Sequence, residues 1–171
     1  MATIQHAKTF DFAAPVPLVA HSSLDRCRQA YEYNRHRIYA MAFWMTDNEL
    51  AAEELTLQTF RRACLACDAP TADDIDRALL NELRAAMPVG KLTLDCAPVT
   101  RVLSVRKNTL RVDLERAVVL LPATEKMIFL LHDVEQYQHN RIAHLLGISQ
   151  AESITGLHQA RLRLRELLAN C

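Results

Sequence analysis

Between Ser22 and Leu168, apolar positions recur mostly at intervals of three and four, the spacing that lines them up on one face of a helix. The first stretch lacks that period. It carries two prolines in Ala14-Pro15-Val16-Pro17 and reads as a loosely docked arm over residues 1–21. Ser22 or Ser23 can then cap a helix whose apolar face includes Tyr31, Ile38, Tyr39, Ala42 and Phe43, ending near Met45. Thr46-Asp47-Asn48-Glu49 has the form of a capping box, and Leu50, Leu57 and Phe60 continue as an apolar stripe beside Glu53, Glu54 and Arg61. Pro70 ends that helix; Thr71-Ala72-Asp73-Asp74 begins another, which runs to Met87 ahead of Pro88.

From Pro88 to Arg111 the pattern breaks into prolines, a glycine and the β-branched run Val99-Thr100-Arg101-Val102, as expected of a linker. Helical spacing resumes over Val112–Leu121 up to Pro122. A further helix, capped by Thr124 or led by Pro122, passes through Met127, Ile128, Leu130 and Leu131 to Val134. Arg141-Ile142-Ala143-His144-Leu145-Leu146 then leads into Gly147-Ile148-Ser149 and a long amphipathic stretch ending at Leu168. Gly147 supplies the positive φ of a helix C-cap, and Ser149-Gln150-Ala151-Glu152 opens the next helix as a capping box. Ile142, Ala143, Leu145, Leu146 and Ile148, with Leu157, Ala160 and Leu164, would hold the two helices at their crossing angle. That is a helix-turn-helix.

The fold predicted is all-α: two small helical domains, residues 22–87 and 112–171, joined by a linker over 88–111. Composition agrees, with three glycines and 6% aromatics, too few for a sandwich or barrel. Lys and Arg together equal Asp and Glu at 20 each, so a nucleic-acid contact would need a local basic face rather than an overall surplus. No apolar run is long enough to span a bilayer and no signal-peptide pattern is present, so no membrane partner and a cytoplasmic location are expected. Five cysteines fit reduced thiols. No Gly-rich phosphate loop, Ser-His-Asp order or paired carboxylates can be placed, so neither catalysis nor a cofactor is expected.

Two blocks resemble a known family. Leu121 to Leu131, Arg141 to Ser149, and Leu157-His158-Gln159-Ala160-Arg161-Leu162-Arg163-Leu164-Arg165 look like region 4 of extracytoplasmic-function (ECF) sigma factors. Tyr33 to Ala42 and Ala52 to Ala63 are similar to region 2 of the same family. The resemblance implies that RNA polymerase core, promoter DNA and an anti-sigma factor are partners. Region 2 would meet polymerase through Tyr33, Arg37, Glu53, Glu54, Gln58, Arg61 and Arg62 and touch the minus-ten element. Region 4 would read the minus-thirty-five element with Gln150, Glu152, Thr155 and Gln159, while Arg161, Arg163 and Arg165 reach phosphates.

The chain also departs from the family pattern. Arg141 stands where the family has Glu, and Ile154, Gly156 and Gln159 replace basic residues of the recognition helix. Glu54-Leu55-Thr56-Leu57 lacks a family Gln. Where an aromatic, basic segment would capture the melted strand, this chain runs Leu65 to Pro70 and then Asp73-Asp74-Ile75-Asp76. Two rivals stay open on those grounds: a regulator that binds polymerase or an anti-sigma partner without opening promoters, and a dimeric helix-turn-helix repressor. Cys64 and Cys67 share a helical face and could take a metal or respond to oxidation, but no second paired motif exists. No metal site is therefore predicted, and the plainer reading is two small residues near a helix end.

Overall fold

A computed structural model describes residues 18–89 and 110–169, with side chains from Ser23 onward. It is helical throughout these residues, in the order α1 (Leu18–Thr46), α2 (Glu49–Ala66), α3 (Ala72–Ala86), α4 (Arg111–Val119), α5 (Ala123–Phe129), α6 (His139–Leu146) and α7 (Gln150–Ala169). The expected all-α class is what is found. The expected arm, up to residue 17, and most of the linker lie outside the described residues.

Helix α1 starts at Leu18, before Ser22 and Ser23, so neither serine caps it. Ser23 lies inside the helix and donates from Oγ to Asp68 Oδ1 (3.1 Å). That contact sets an antiparallel register with α2, because Tyr31 stacks edge-on against Phe60 two turns further along (ring centroids 4.9 Å apart). The capping box expected at Thr46 also moves. Thr46 ends α1, donating back to Ala42 O (2.8 Å), and Asp47 turns the chain at φ 51°. Asn48 is the cap instead, its side chain accepting from Ala51 N (3.0 Å). Helix α2 stops at Ala66, ahead of Pro70, with Cys67 closing onto Ala63 O.

The stripe of α2 also differs from expectation. Its buried face is Ala52, Thr56, Thr59, Phe60 and Ala63, whereas Leu50 and Leu57 are 78% and 59% exposed. Small side chains let α1 and α2 approach closely, so the larger leucines are left on the outside. Helix α3 opens as expected at Thr71, with the reciprocal cap to Asp74. It closes the first cluster through Ile75, Ala78, Leu79, Leu80 and Leu83.

In the second cluster α5 is the central rod, buried along Thr124 to Ile128, with α7 packed across it. Pro122 leads α5; Thr124 is inside it rather than capping it. The helix then widens into an i→i+5 turn over Leu130–Val134, where Glu135 N donates to Leu130 O (3.0 Å). One continuous set of buried side chains runs from Ile38 on α1 to Leu164 on α7, so the two clusters also meet each other.

Candidate nucleic-acid interface

Helix α6 ends because Gly147 takes φ 67°, ψ 35° and returns its N–H to Ala143 O. A Cβ built on Gly147 would meet nothing within 4 Å, so glycine is required there by backbone conformation alone. Two residues on, Ser149 and Glu152 close the capping box: Glu152 N donates to Ser149 Oγ (3.1 Å) and Ser149 N to Glu152 Oε2 (2.7 Å). Those bonds from Ser149 hold the Glu152 carboxyl below its usual range. The underside of the pair is sealed by Ile142, Leu145, Leu146, Leu157, Ala160 and Leu164. Ser153 is fully buried in the crossing, its Oγ 3.0 Å from His139 Nδ1.

The outer face of α7 carries Gln150, Ala151, Glu152, Ile154, Thr155, His158, Arg161 and Arg165. Of the residues nominated for base contact, Gln150, Glu152 and Thr155 are on this face, while Gln159 is half-buried. Ala151, Ile154 and His158 belong to the face and were missed. Counting four on from Gln150 reaches Ile154, and seven on from Ala151 reaches His158.

The nominated phosphate contacts divide differently. Arg161 grips Asp133 at two points, Nη2 to Oδ1 (2.6 Å) and Nε to Oδ2 (3.1 Å). Burial pushes the Asp133 carboxyl up, but the bonds from Arg161 and His132 outweigh it and hold the group low. Arg163 pairs through Nε with Oε2 of the buried Glu125 (2.9 Å). Both arginines brace α7 against α5 and the wide turn. Arg165 is exposed and has no ion pair among the described residues.

On the first cluster, Glu53, Glu54, Gln58, Arg61 and Arg62 share one side of α2 with the exposed Leu50, Leu57 and Leu65. Gln58 donates to Glu54 (2.7 Å) and Arg62 to Glu82 (2.5 Å). Tyr33, 89% exposed, projects from α1. Arg37 is the exception among the polymerase nominations. It turns inward, with Nη1 2.7 Å from Oδ1 of the buried Asp76. Burial works against the Arg37 charge, and Asp76 outweighs it.

Cys27, Cys64 and Cys67 are free thiols at the α1–α2 seam. Burial and a hydrogen bond with Cys27 push Cys64 up to about 12. Among the described residues no three His, Cys, Asp or Glu side chains are placed to hold a metal, and no helix is long and apolar enough to cross a membrane.

Residues 111–164 match the family model described as Sigma-70, region 4. No curated protein matches the chain by sequence. Among solved structures, the chain is similar to the sigma factor RpoE in its co-crystal structure with the anti-sigma factor NepR from Bartonella quintana. That match has a TM-score of 0.62 and 20% identity, over 82% of this chain and 95% of that one. The matched segment begins with α4 and takes in all of α5 and α6 and most of α7. The family match thus covers the helix-turn-helix and the two helices before it, and the likeness to RpoE is one of fold.

Proposed function

We propose that the chain directs RNA polymerase core to promoters. In this reading α7 enters the major groove at the upstream element, and the outer face of α2 docks on the polymerase. The observation that carries it is the helix-turn-helix: α7 is locked at its base by Gly147, Ser149 and Ser153, yet its first two turns stay open to solvent. Gln150 and Thr155 offer hydrogen-bonding groups to base edges, and Ala151 and Ile154 offer methyl groups to a thymine. Glu152 is engaged by Ser149 and acts mainly as the cap. With Arg161 and Arg163 used inside the domain, Arg165 and the α7 N-terminus are left for phosphates. The salt dependence of DNA binding should therefore be shallow, with a slope nearer −2 than −6 on the scale of about −0.9 per phosphate contact. On the polymerase side, Leu50, Leu57 and Leu65 give an apolar centre within a charged rim, the usual anatomy of a protein-binding patch. The work belongs to the cytosol, and the chain adds no catalysis of its own.

Reconstituted run-off transcription tests this. Core enzyme plus the chain should give promoter-dependent product, and Gln150→Ala with Thr155→Ala should remove most of it. No promoter-dependent product with the cognate core would overturn the reading.

The near-neutral reading face favours one alternative, a sigma-like regulator that binds protein partners alone. RpoE is crystallised with an anti-sigma factor. A comparable partner for this chain would seat in the groove of 720 Å³ between α1 and α4, lined by Tyr39, Phe43, Trp44, Val112, Val119 and Leu120. Absence of binding to any duplex at low salt would support this alternative.

A further inference from the structure

Three thiols gather where α1 passes the end of α2, and the register of the two helices decides which of them face each other. On one side Ser23 donates to Asp68 Oδ1 (3.1 Å), and Arg26 Nε donates to Asp68 O (3.3 Å). On the other, Tyr31 meets Phe60 edge-on, with ring centroids 4.9 Å apart. Cys27 lies four residues from both Ser23 and Tyr31, and Cys64 lies four residues from both Asp68 and Phe60. In antiparallel helices this places Cys27 opposite Cys64, about one turn from each of two fixed contacts. The two thiols accordingly share a hydrogen bond.

A disulfide needs β-carbons about 3.5–4.5 Å apart. The small residues Ala52, Thr56 and Ala63 on the buried face of α2 already let the two helices pack closely. Cys67 is placed differently. It has left the helix, with extended backbone at φ −149°, ψ 133°, and it is exposed, whereas Cys27 and Cys64 are partly buried.

We propose that Cys27 and Cys64 form an oxidisable dithiol site, which a hydroperoxide converts to a disulfide across the α1–α2 seam. Cys27 Sγ attacks the hydroperoxide, the O–O bond breaks, and the Cys27 proton ends on the departing alcohol or water. Cys27 is left as a sulfenic acid. Cys64 Sγ then attacks Cys27 Sγ, the S–O bond breaks, and the Cys64 proton leaves with the hydroxide as water. Each sulfur gives up one electron, and the peroxide takes both. Burial keeps Cys64 protonated, which suits it to the second step rather than the first. In a reducing cytosol the bond is transient and reverses when thiol reductants return. While it lasts it closes the loop formed by α1, the turn at Asp47 and α2, and so stabilises the first cluster. The site is independent of the function proposed above.

The full wild-type chain is treated with hydrogen peroxide in molar excess, and its monomer fraction is digested and mapped by mass spectrometry without reduction. The Cys27 and Cys64 peptides should appear joined, two hydrogens lighter than their sum, and dithiothreitol should separate them. Thermal unfolding of the oxidised chain should shift upward by about 10 °C and return on reduction. Cys27→Ser and Cys64→Ser should each abolish both signals, while Cys67→Ser should keep them. Should a serine variant fail to fold, the wild-type map decides alone. Linkage of Cys27 or Cys64 to another cysteine in place of each other would overturn the proposal. So would oxidation that stops at Cys67 without any joined peptide, or a joined peptide with Tm unchanged or lowered.

Discussion

Helices α3 and α7 begin with the same local device and end in opposite situations. Each opens on a hydroxyl residue that caps the third amide, with an acid reaching back to the cap N–H: Thr71 with Asp74, and Ser149 with Glu152. The polar side of α3 then turns into the chain, where Asp76 is sealed under Arg37, Tyr137 and Arg141. The polar side of α7 stays in solvent through Thr155 and His158. The caps only start the helices. What decides the fate of each polar face is whether cations elsewhere in the chain are aimed at it.

Removing the buried acid should break that contrast most severely. Asp76→Ala leaves Arg37 and Tyr137 facing each other in the interior, and urea denaturation should show a loss of about 3 kcal/mol. Gly147→Ala acts on the other helix pair by forcing a left-handed residue with a Cβ, at about 1–2 kcal/mol by the same measurement. The two caps should then be nearly equal in stability and unequal in function. Thr71→Ala and Ser149→Ala should each cost about 1 kcal/mol, but only the second should also weaken duplex binding in gel shifts.

The smallest effect is one of pH. Burial first, then the bond to Asp76, raises the Tyr137 hydroxyl from 10.0 to about 12. Because the folded-state value is the higher one, its contribution is complete below pH 10 and is lost as pH rises toward 12. Spectroscopic titration should find one of the four tyrosines ionising late, and Tyr137→Phe should remove that late step.

The same contrast explains what could be read from the sequence. Gly147, Ser149 and Glu152 act through neighbours within three residues, so the helix-turn-helix and its caps were legible, as was the start of α3 at Thr71. Leu50 and Leu57 misled because size and apolarity were taken for burial, whereas close packing of α1 on α2 selects Ala52, Thr56 and Ala63. Thr46 looked like a cap because nothing local shows that α1 runs through it. Arg37, Arg161 and Arg163 were assigned to partners outside the chain. Their acids, Asp76, Asp133 and Glu125, lie 28 or more residues away in sequence, and pairing at that range depends on the tertiary fold.

Promoter recognition by this chain requires the outer face of α7 to lie against duplex. A photo-cross-linker placed at Thr155, in a complex of the chain with polymerase core and a promoter fragment, asks this directly. Cross-links to bases of the upstream element are the predicted result. Cross-links to protein alone, in a complex that holds both polymerase and promoter, would contradict it.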